Sequence, residues 1–461
     1  MPTSSPLRVA VIGAGPAGFY AAESVLKQND TASVDVFDRL PTPFGLVRAG
    51  VAPDHQKIKN VTRVYGKTAA RPGFRFFGGV DYGTDLTLDH LRKHYHAVIF
   101  TTGAQMDRRL GIEGEDLPRS HSATEFVAWY NGHPDFRDLK FDLTQRAAVI
   151  VGVGNVAVDV ARILCRTHEE LAATDIADYA LEALRVSQIE DVYVLGRRGP
   201  THAAFTNPEA KELGELEAAD LIIHPAEAEP DPLSAKELAD NPDRQSVRKL
   251  EMIQSFAGRE TTGKPKRLHL RFLVSPTTIR PASDGGVGAV DIVTNEIYRT
   301  DRGGLRPRAT DQTATLDAGL VFRSVGYRGV ALPQLPFRED WAVIRNTDGR
   351  VTDDAGSPVP GLYTAGWIKR GPSGVIGTNK ACSVETVNQV LADAEAGLLP
   401  EPADPSPEAA LGMVASARQD FIDFAAWQRL DELEIAAGES SGRPRVKFTT
   451  VREMQEALGR G

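Results

Sequence analysis

Residues 8–18 read RVAVIGAGPAG, an apolar run that meets a glycine cluster and continues into an amphipathic stretch. This order predicts a strand, a tight turn and a helix. In such a turn one glycine allows the sharp bend, one lets a pyrophosphate approach the backbone, and one lets the helix pack closely on the strand. The segment therefore predicts a dinucleotide site whose binding positions are Gly13, Gly15, Ala17 and Gly18.

The second strand of this unit indicates which nucleotide binds. Residues 34–37 form the strand, which ends at Asp38, 25 positions after Gly13. A carboxylate at a strand end accepts hydrogen bonds from the ribose hydroxyls of a dinucleotide. Asp38 therefore predicts FAD or NAD rather than NADP at the first motif. The alternative, a glycine-rich turn that binds no ligand, is weaker because the acidic partner is present.

A second copy of the motif, AAVIVGVGNVA at residues 147–157, differs from the first in its third glycine. Gly152 and Gly154 occupy the first two glycine positions, and Ala157 occupies the third. We expect this copy to bind a second dinucleotide through the same strand–turn–helix geometry.

The second strand of this copy ends in Arg197 and Arg198 instead of an acid. A 2′-phosphate needs a cation and repels a carboxylate, so the paired arginines predict NADP. A solvated strand end is the alternative interpretation. Arg197 follows Gly152 by 45 positions, more than the usual spacing of about 20. We therefore expect an insertion, residues 167–187, between the helix and the strand.

The two motifs together predict the fold class and the domain organisation. We expect an α/β protein with two Rossmann-like dinucleotide-binding domains, the NADP domain being inserted in the FAD domain. The predicted FAD domain comprises residues 1–107 and 325–461, with 400–461 as a C-terminal extension, and the NADP domain comprises residues 108–324. One acidic and one arginine-bearing site imply hydride transfer between NADPH and a flavin.

Composition and charge narrow the class of partner. The net charge of −9 argues against nucleic acid, which needs a basic surface. The two cysteines, Cys165 and Cys382, have neither metal-ligand nor dithiol spacing, so no metal site is expected. No apolar run approaches the roughly 18 residues of a membrane span, and the first strand begins by Arg8. We expect a cytoplasmic protein without a membrane span.

Longer strings of sequence carry a family resemblance. FDRLPTPFGLVRAGVAPDHQKIK at residues 37–59, VGVGNVAVDVARIL at 151–164, VLGRRGP at 194–200 and TAGWIKRGPSGVIGTNK at 364–380 resemble the adrenodoxin-reductase type of ferredoxin–NADP reductase, in particular its mycobacterial members. The resemblance covers essentially the whole chain. It implies an enzyme in which NADPH gives a hydride to FAD, and a ferredoxin-type iron–sulfur protein then receives single electrons.

The resemblance also implies site residues. It places Asp38 at the FAD ribose, although relatives often have Glu there, and Leu46 and Val80 along the FAD site. The positions that it assigns to NADP are Arg108, Asn155, Val156, Arg197, Arg198 and Glu209. The positions that it assigns to the segment along the flavin ring are Gly366, Trp367, Gly374, Val375 and Ile376.

His55 and Glu212 match family positions for which proton transfer has been suggested, so they are the candidate catalytic residues. Histidine suits this role because it changes charge near neutral pH. A hydride needs no catalytic acid, so both residues could instead only position the loop and the nicotinamide.

Other functions share parts of this pattern. Disulfide reductases need a cysteine pair beside the flavin, which this sequence lacks. An NADPH-dependent flavin monooxygenase, or an NADP-binding redox sensor without turnover, fits the paired motifs alone. The longer strings favour the ferredoxin reductase.

A local basic segment gives a candidate docking surface for an acidic ferredoxin. Residues 241–280 carry a net charge of +6 in an otherwise acidic chain. Arg244, Arg248 and Lys249 lie at helical spacing within it, so one side of a helix would carry all three. The alternative is a solvated charged face.

Overall fold

The computed structural model describes residues 5–460 and divides into two units. The first unit comprises the chain up to Val51, His55–Met106 and the chain from Tyr327 onward. The second comprises Ala52–Asp54 and Asp107–Gly326. The two units are described separately below.

The strands of the described residues alternate with helices over most of the chain. In chain order they are β1 (Arg8–Ile12), β2 (Ser33–Asp38), β3 (Phe74–Gly78), β4 (Ala97–Phe100), β5 (Met106–Asp107), β6 (Ser120–Ser122), β7 (Ala147–Val151), β8 (Asp191–Leu195), β9 (Ala219–Ile222), β10 (Lys266–Arg271), β11 (Val274–Pro281), β12 (Val287–Arg299), β13 (Leu305–Asp317), β14 (Leu320–Arg323), β15 (Tyr327–Arg328), β16 (Phe337–Arg338), β17 (Val343–Ile344), β18 (Asn346–Thr347), β19 (Arg350–Thr352) and β20 (Pro358–Thr364).

The α-helices range from single turns to five turns. In chain order they are α1 (Pro16–Gln28), α2 (Leu46–Ala49), α3 (Gln56–Lys59), α4 (Thr62–Ala69), α5 (Leu88–Arg92), α6 (Ala123–Tyr130), α7 (Asn155–Cys165), α8 (His168–Ala172), α9 (Asp178–Arg185), α10 (Asn207–Leu213), α11 (Pro225–Ala228), α12 (Pro232–Asp240), α13 (Arg244–Ala257), α14 (Trp367–Arg370), α15 (Thr378–Glu395), α16 (Pro407–Ala417), α17 (Phe424–Glu439) and α18 (Val451–Ala457).

The first unit is built on a seven-stranded sheet in the order β18-β19-β20-β4-β1-β2-β3. Strand β1 lies between β4 and β2 in parallel and is buried at all five positions, as expected for a central parallel strand. Ile12 is in register with Phe37. The glycine turn after β1 and Asp38 at the end of β2 therefore meet at the carboxyl edge of this sheet.

The second unit repeats this geometry in a six-stranded parallel sheet, order β6-β14-β7-β8-β10-β9. Val151 is in register with Leu195, so the second glycine turn and the arginine pair follow adjacent strand ends. An antiparallel three-stranded sheet, β11-β12-β13, completes the unit. The mixed, mainly parallel sheet of the first unit and the parallel sheet of the second confirm the predicted fold class, two Rossmann-like units.

The predicted insertion between α7 and β8 contains two short helices, α8 and α9, and α8 begins with a Thr167–Glu170 capping box. No helix within residues 5–460 is both long and apolar enough to cross a membrane.

Candidate cofactor sites

The first glycine turn has different surroundings at each of its three glycines. A Cβ on Gly13 would lie 2.8 Å from the Thr101 carbonyl oxygen, and one on Gly18 would lie 2.0 Å from that of Gly13. A Cβ on Gly15 would meet no atom of the described residues within 4 Å. Sterics thus require the outer glycines for the bend and the helix packing, while the middle one faces open space. This cradle fits a pyrophosphate approaching the backbone and the N-terminus of α1.

Asp38 joins the strand end to the glycine turn. Its two carboxylate oxygens accept one backbone hydrogen bond each, from Ala14 N at 2.7 Å and from Leu40 N at 3.0 Å. Burial raises the pKa of Asp38, and these hydrogen bonds partly oppose that shift. Each carboxylate oxygen has a second lone pair, so the residue can still accept bonds from ribose hydroxyls.

Two residues assigned to the FAD site by resemblance lie in this unit. Val80 is buried, and its N–H donates to the Asp38 carbonyl at 2.9 Å. Leu46 begins the short helix α2, and 39% of its surface is exposed. An exposed leucine at the start of this helix, beside the glycine turn, is available to contact a ligand.

The third glycine segment follows strand β20. A Cβ on Gly366 would lie 2.7 Å from the Ala17 methyl group, so this turn packs directly on the start of α1. Trp367 begins α14; its indole Nε1 donates to the Ser373 carbonyl at 3.2 Å and its ring lies 5.4 Å from that of Tyr327. The contact with Ala17 explains why that position of the first motif carries a small side chain.

The remaining residues predicted for the flavin segment form the turn before α15. Gly374 has a φ of +78°, which favours glycine. Val375 is exposed, whereas Ile376 is partly buried against the apolar core of the unit. Their place along a flavin ring stays a prediction.

The second glycine turn matches the first at its first two glycines and differs at the third position. A Cβ on Gly152 would lie 2.1 Å from the Ser324 carbonyl oxygen, whereas one on Gly154 would meet no atom of the described residues within 4 Å. The third position, Ala157, is completely buried, and Val156 beside it is partly buried. An alanine is therefore accommodated where the first motif requires glycine.

Asn155 follows this turn and has a structural partner. Its side-chain carbonyl accepts a hydrogen bond from Thr206 N at 2.9 Å. The backbone of Ala204 and Phe205 also donates to Val153 O, at 2.9 and 3.1 Å. The segment 203–206 is therefore fixed to the second glycine turn, a link that sequence spacing did not predict.

The arginine pair lies just beyond β8 and carries uncompensated charge. Arg197 is exposed and Arg198 is partly buried, and neither has a carboxylate within ion-pair distance in the described part of the chain. The pKa of Arg198 is lowered by burial and by the charges of Arg197 and Arg306. Such a cluster of like charges is unfavourable until an anion binds, which fits a 2′-phosphate site.

Arg306 is a residue that the sequence analysis missed. It lies at the start of β13, opposite Tyr298 of β12. The same hairpin is tied to the arginine pair, because Asn295 Nδ2 donates to Arg197 O at 3.0 Å. The sequence did contain a signal for this residue. Four arginines lie between residues 299 and 308, and nearby acidic residues neutralise their charge only in part.

A buried guanidinium organises the glutamates assigned to NADP and catalysis. The side chain of Arg162 has no exposed surface; its Nη1 lies 2.6 Å from Glu209 Oε2 and 3.1 Å from Glu212 Oε2. It also pairs with Asp159 at 3.0 Å and with Asp54 at 2.8 Å. The structure thus brings two predicted site residues, Glu209 and Glu212, onto one cation.

Arg108 and His55, two further predicted site residues, each make backbone hydrogen bonds. Arg108 donates its N–H to Gly326 O at 2.9 Å. His55 is the N-cap of α3, and its carbonyl accepts hydrogen bonds from Ile58 N at 3.1 Å and Lys59 N at 3.3 Å. Their chemical roles stay predictions.

The candidate docking helix forms as predicted, as α13, but Lys249 does not face outward with Arg244 and Arg248. Its ammonium donates to the Ala203 carbonyl at 2.5 Å and lies 5.7 Å from the centre of the Phe205 ring. Burial lowers the pKa of Lys249. The Lys249 side chain points inward because the neighbouring segment 203–206 supplies these contacts. Helical spacing alone cannot predict the position of that segment.

Most of the basic side chains of the segment 241–280 bind other groups of the protein, either carboxylates or backbone carbonyls. Arg267 binds Asp191, and Arg271 binds Glu227 at 2.7 Å. Lys264 and Lys266 donate to backbone carbonyls. Arg244 and Arg248 are exposed, with no ion-pair partner among residues 5–460.

Comparison with known proteins gives matches over almost the entire chain. A family model described as pyridine nucleotide-disulphide oxidoreductase matches residues 7–193. The probable ferredoxin/ferredoxin–NADP reductase of Mycobacterium tuberculosis is 46% identical over 98% of this chain and 76% of its own length. The mitochondrial NADPH:adrenodoxin oxidoreductase of Arabidopsis thaliana is 38% identical over 99% and 96%. The solved structure of Mycobacterium tuberculosis FprA in complex with NADPH is 41% identical, covers 98% of this chain and 99% of its own, and superposes with a TM-score of 0.92.

Proposed function

Because the chain belongs to the ferredoxin–NADP reductases of the adrenodoxin-reductase type, we propose that it is an FAD-containing NADPH:ferredoxin oxidoreductase. FAD, when bound, can accept two electrons as a hydride and release them one at a time. The protein supplies binding, orientation and electrostatics. The main supporting observation is the contrast between the two strand ends, a carboxylate at Asp38 and uncompensated arginines at Arg197 and Arg198.

Each dinucleotide has residues that fit it. FAD would lie with its pyrophosphate over Gly15 and its ribose at Asp38, with Leu46, Val80 and the 366–376 segment around it. NADP would lie over Gly154, with its 2′-phosphate at the arginine cluster. In both turns the middle glycine faces open space, which is what an approaching phosphate requires.

The glutamates on Arg162 would act at the nicotinamide end of NADP. Arg162 holds Glu209 and Glu212 in fixed positions, since a buried carboxylate needs a cation or hydrogen-bond donors. Glu212 is the more exposed of the two, at 36% of its side-chain surface. It is therefore the one that can exchange a proton with water or support the nicotinamide ring.

The electron acceptor would be an acidic ferredoxin that docks on α13. Arg244 and Arg248 are exposed cations without ion-pair partners in the described part of the chain. Charges of this kind accelerate encounter with an oppositely charged partner. We propose docking through these two residues. Lys249 is not part of the docking surface, because its ammonium binds the Ala203 carbonyl within the protein.

We also place the reaction in the cytoplasm. Both cysteines, Cys165 and Cys382, are free and buried, which fits a reducing compartment.

Steady-state assays test the function against its alternatives. With NADPH and a ferredoxin, the purified protein should reduce cytochrome c over many turnovers, and it should reduce ferricyanide without ferredoxin. A redox sensor would stop after one reduction. A monooxygenase would consume oxygen in proportion to NADPH only when a hydroxylatable substrate is present, and would not need ferredoxin.

A further inference from the structure

A buried ion pair connects helix α17, near the C-terminus, to a loop near the start of the chain. Glu434 has a side chain with no exposed surface and accepts hydrogen bonds from Arg48 Nη1 at 2.8 Å and Nη2 at 2.5 Å. It also accepts from Arg445 Nη1 at 3.1 Å and from Phe448 N at 2.9 Å. Two fork-like bonds and two further donors hold this carboxylate in one orientation.

Glu434 is held as a charged group despite its burial. Burial opposes ionisation, but the charge and hydrogen bonds of Arg48 and the charge of Arg445 together lower its pKa below the ordinary value. A buried carboxylate with these partners becomes very unfavourable if one partner is removed. The pair therefore fixes the position of Arg48 in helix α2.

The loop that contains Arg48 lies directly on the first glycine turn. Phe44 N donates to Ala14 O at 2.8 Å, and a Cβ on Gly45 would lie 3.0 Å from the Gly15 Cα. Phe44 has a φ of +83°, an uncommon conformation for a residue with a side chain. Such a conformation persists only where the surrounding structure enforces it.

Helix α17 supplies that enforcement at two further points. The Trp427 ring packs edge-on against Phe44, with 5.9 Å between ring centres. The Arg48 guanidinium lies 5.1 Å from the centre of the same Trp427 ring. Lys447, beyond the helix, donates to Arg48 O at 3.4 Å. The C-terminal segment thus contacts both the strained residue and the ion-pair partner of the loop.

We propose that α17 is a latch that retains FAD, by holding the loop of residues 44–50 against the pyrophosphate-binding turn through the Glu434–Arg48 pair. The proposal rests on FAD binding at the first motif, which is part of the proposed function. With the latch intact, the loop stays folded over Gly15 and dissociation of FAD requires the buried pair to break. Without it, the loop opens and FAD escapes.

FAD release from the holoenzyme tests the latch. Glu434→Gln and Arg48→Gln are each diluted into FAD-free buffer, and the rise of free-flavin fluorescence is followed. Asp431→Asn is the matched control, because Asp431 lies one turn earlier on α17 and binds Arg445 but does not bind Arg48. Each latch variant should release FAD at least about tenfold faster than the native protein, the factor expected for loss of a charged hydrogen bond. The control should stay within about twofold of native release.

A second measurement separates latch loss from general misfolding. Binding of 2′,5′-ADP, a fragment that occupies an NADP site, should be unchanged in both latch variants. The double variant should release FAD no faster than the single ones, because the two substitutions break the same pair. Native release rates in both single variants would overturn the proposal, and so would equal acceleration in Asp431→Asn. If the native protein holds no FAD at all, the proposed function itself fails.

Discussion

Arg162 Nη1 lies 3.1 Å from Glu212 Oε2 and 2.6 Å from Glu209 Oε2, and the guanidinium is completely buried. One buried cation therefore holds both glutamates in fixed positions. Loss of Arg162 removes this shared cation from carboxylates that are mostly buried, and removing one partner is the costly way to break a buried ion pair.

We predict that Arg162→Met lowers the free energy of unfolding by about 3–5 kcal/mol, the cost of removing one partner of a buried ion pair. Arg166→Met is the matched control: Arg166 directly follows α7, the helix that contains Arg162, and also binds Asp54, but its side chain is 23% exposed. Urea unfolding of both variants measures the difference. Equal losses of unfolding free energy in the two variants would contradict the claim that Arg162 stabilises this cluster more than Arg166 does.

His55→Gln tests whether His55 relays a proton. The histidine carbonyl begins α3 through the backbone, so glutamine should leave that helix and bound FAD intact. We expect the pH dependence of turnover to flatten near neutrality, because histidine is the group that changes charge there. The check is the pH profile of ferricyanide reduction. An unchanged profile would mean that His55 only positions the loop.

The arginine cluster should determine selectivity for NADPH. Arg197→Ala combined with Arg198→Ala should raise the KM for NADPH by about tenfold or more and leave that for NADH almost unchanged, because each charged hydrogen bond contributes about 1.5–3 kcal/mol. Arg306→Ala should raise the KM for NADPH by a smaller factor, about threefold, since its side chain is exposed.

Arg308→Ala is the control for Arg306, because Arg308 is on the same strand but is paired with Glu296 at 2.6 Å. Its KM for NADPH should match that of the native protein. If the KM values for NADPH and NADH rise by the same factor in the Arg197 and Arg198 variant, the 2′-phosphate assignment is wrong.

The docking proposal predicts an effect only when ferredoxin takes part. Arg244→Glu with Arg248→Glu should slow ferredoxin-dependent cytochrome c reduction and weaken its dependence on salt, because the two charges act on encounter. Ferricyanide reduction should not change. The same charge change placed elsewhere, at the exposed Arg146 and Arg452, should have little effect. A comparable loss in that control would show a general effect of charge and no specific docking.

The sequence predicted the parts of the fold that depend on local rules. The glycine turns and the residues at the strand ends follow from the backbone geometry of a strand–turn–helix unit, and both turns have the predicted steric pattern. The prediction for α13 was correct in its helical form but wrong for the exposure of Lys249. Spacing defines one side of a helix, whereas the neighbouring element decides which side chains turn inward.

Contacts between distant parts of the chain could not be predicted in this way. Arg306 approaches Arg198 only because the β12–β13 hairpin is tied to the arginine pair through Asn295. Glu434 meets Arg48 across 386 positions of sequence. From the sequence pattern alone, neither side chain can be distinguished from an ordinary surface charge.

An anaerobic titration of the purified protein tests the central claim most directly, namely that the first motif holds FAD and the second selects NADPH. Flavin released by denaturation is first identified as FAD or FMN, and the absorbance of the bound flavin is then followed as NADPH or NADH is added without oxygen. We predict FAD, bleached by about one equivalent of NADPH because a hydride carries both electrons that the flavin accepts. NADH at the same concentration should leave most of the flavin oxidised. A protein without FAD, or one bleached equally well by NADH, would contradict the account.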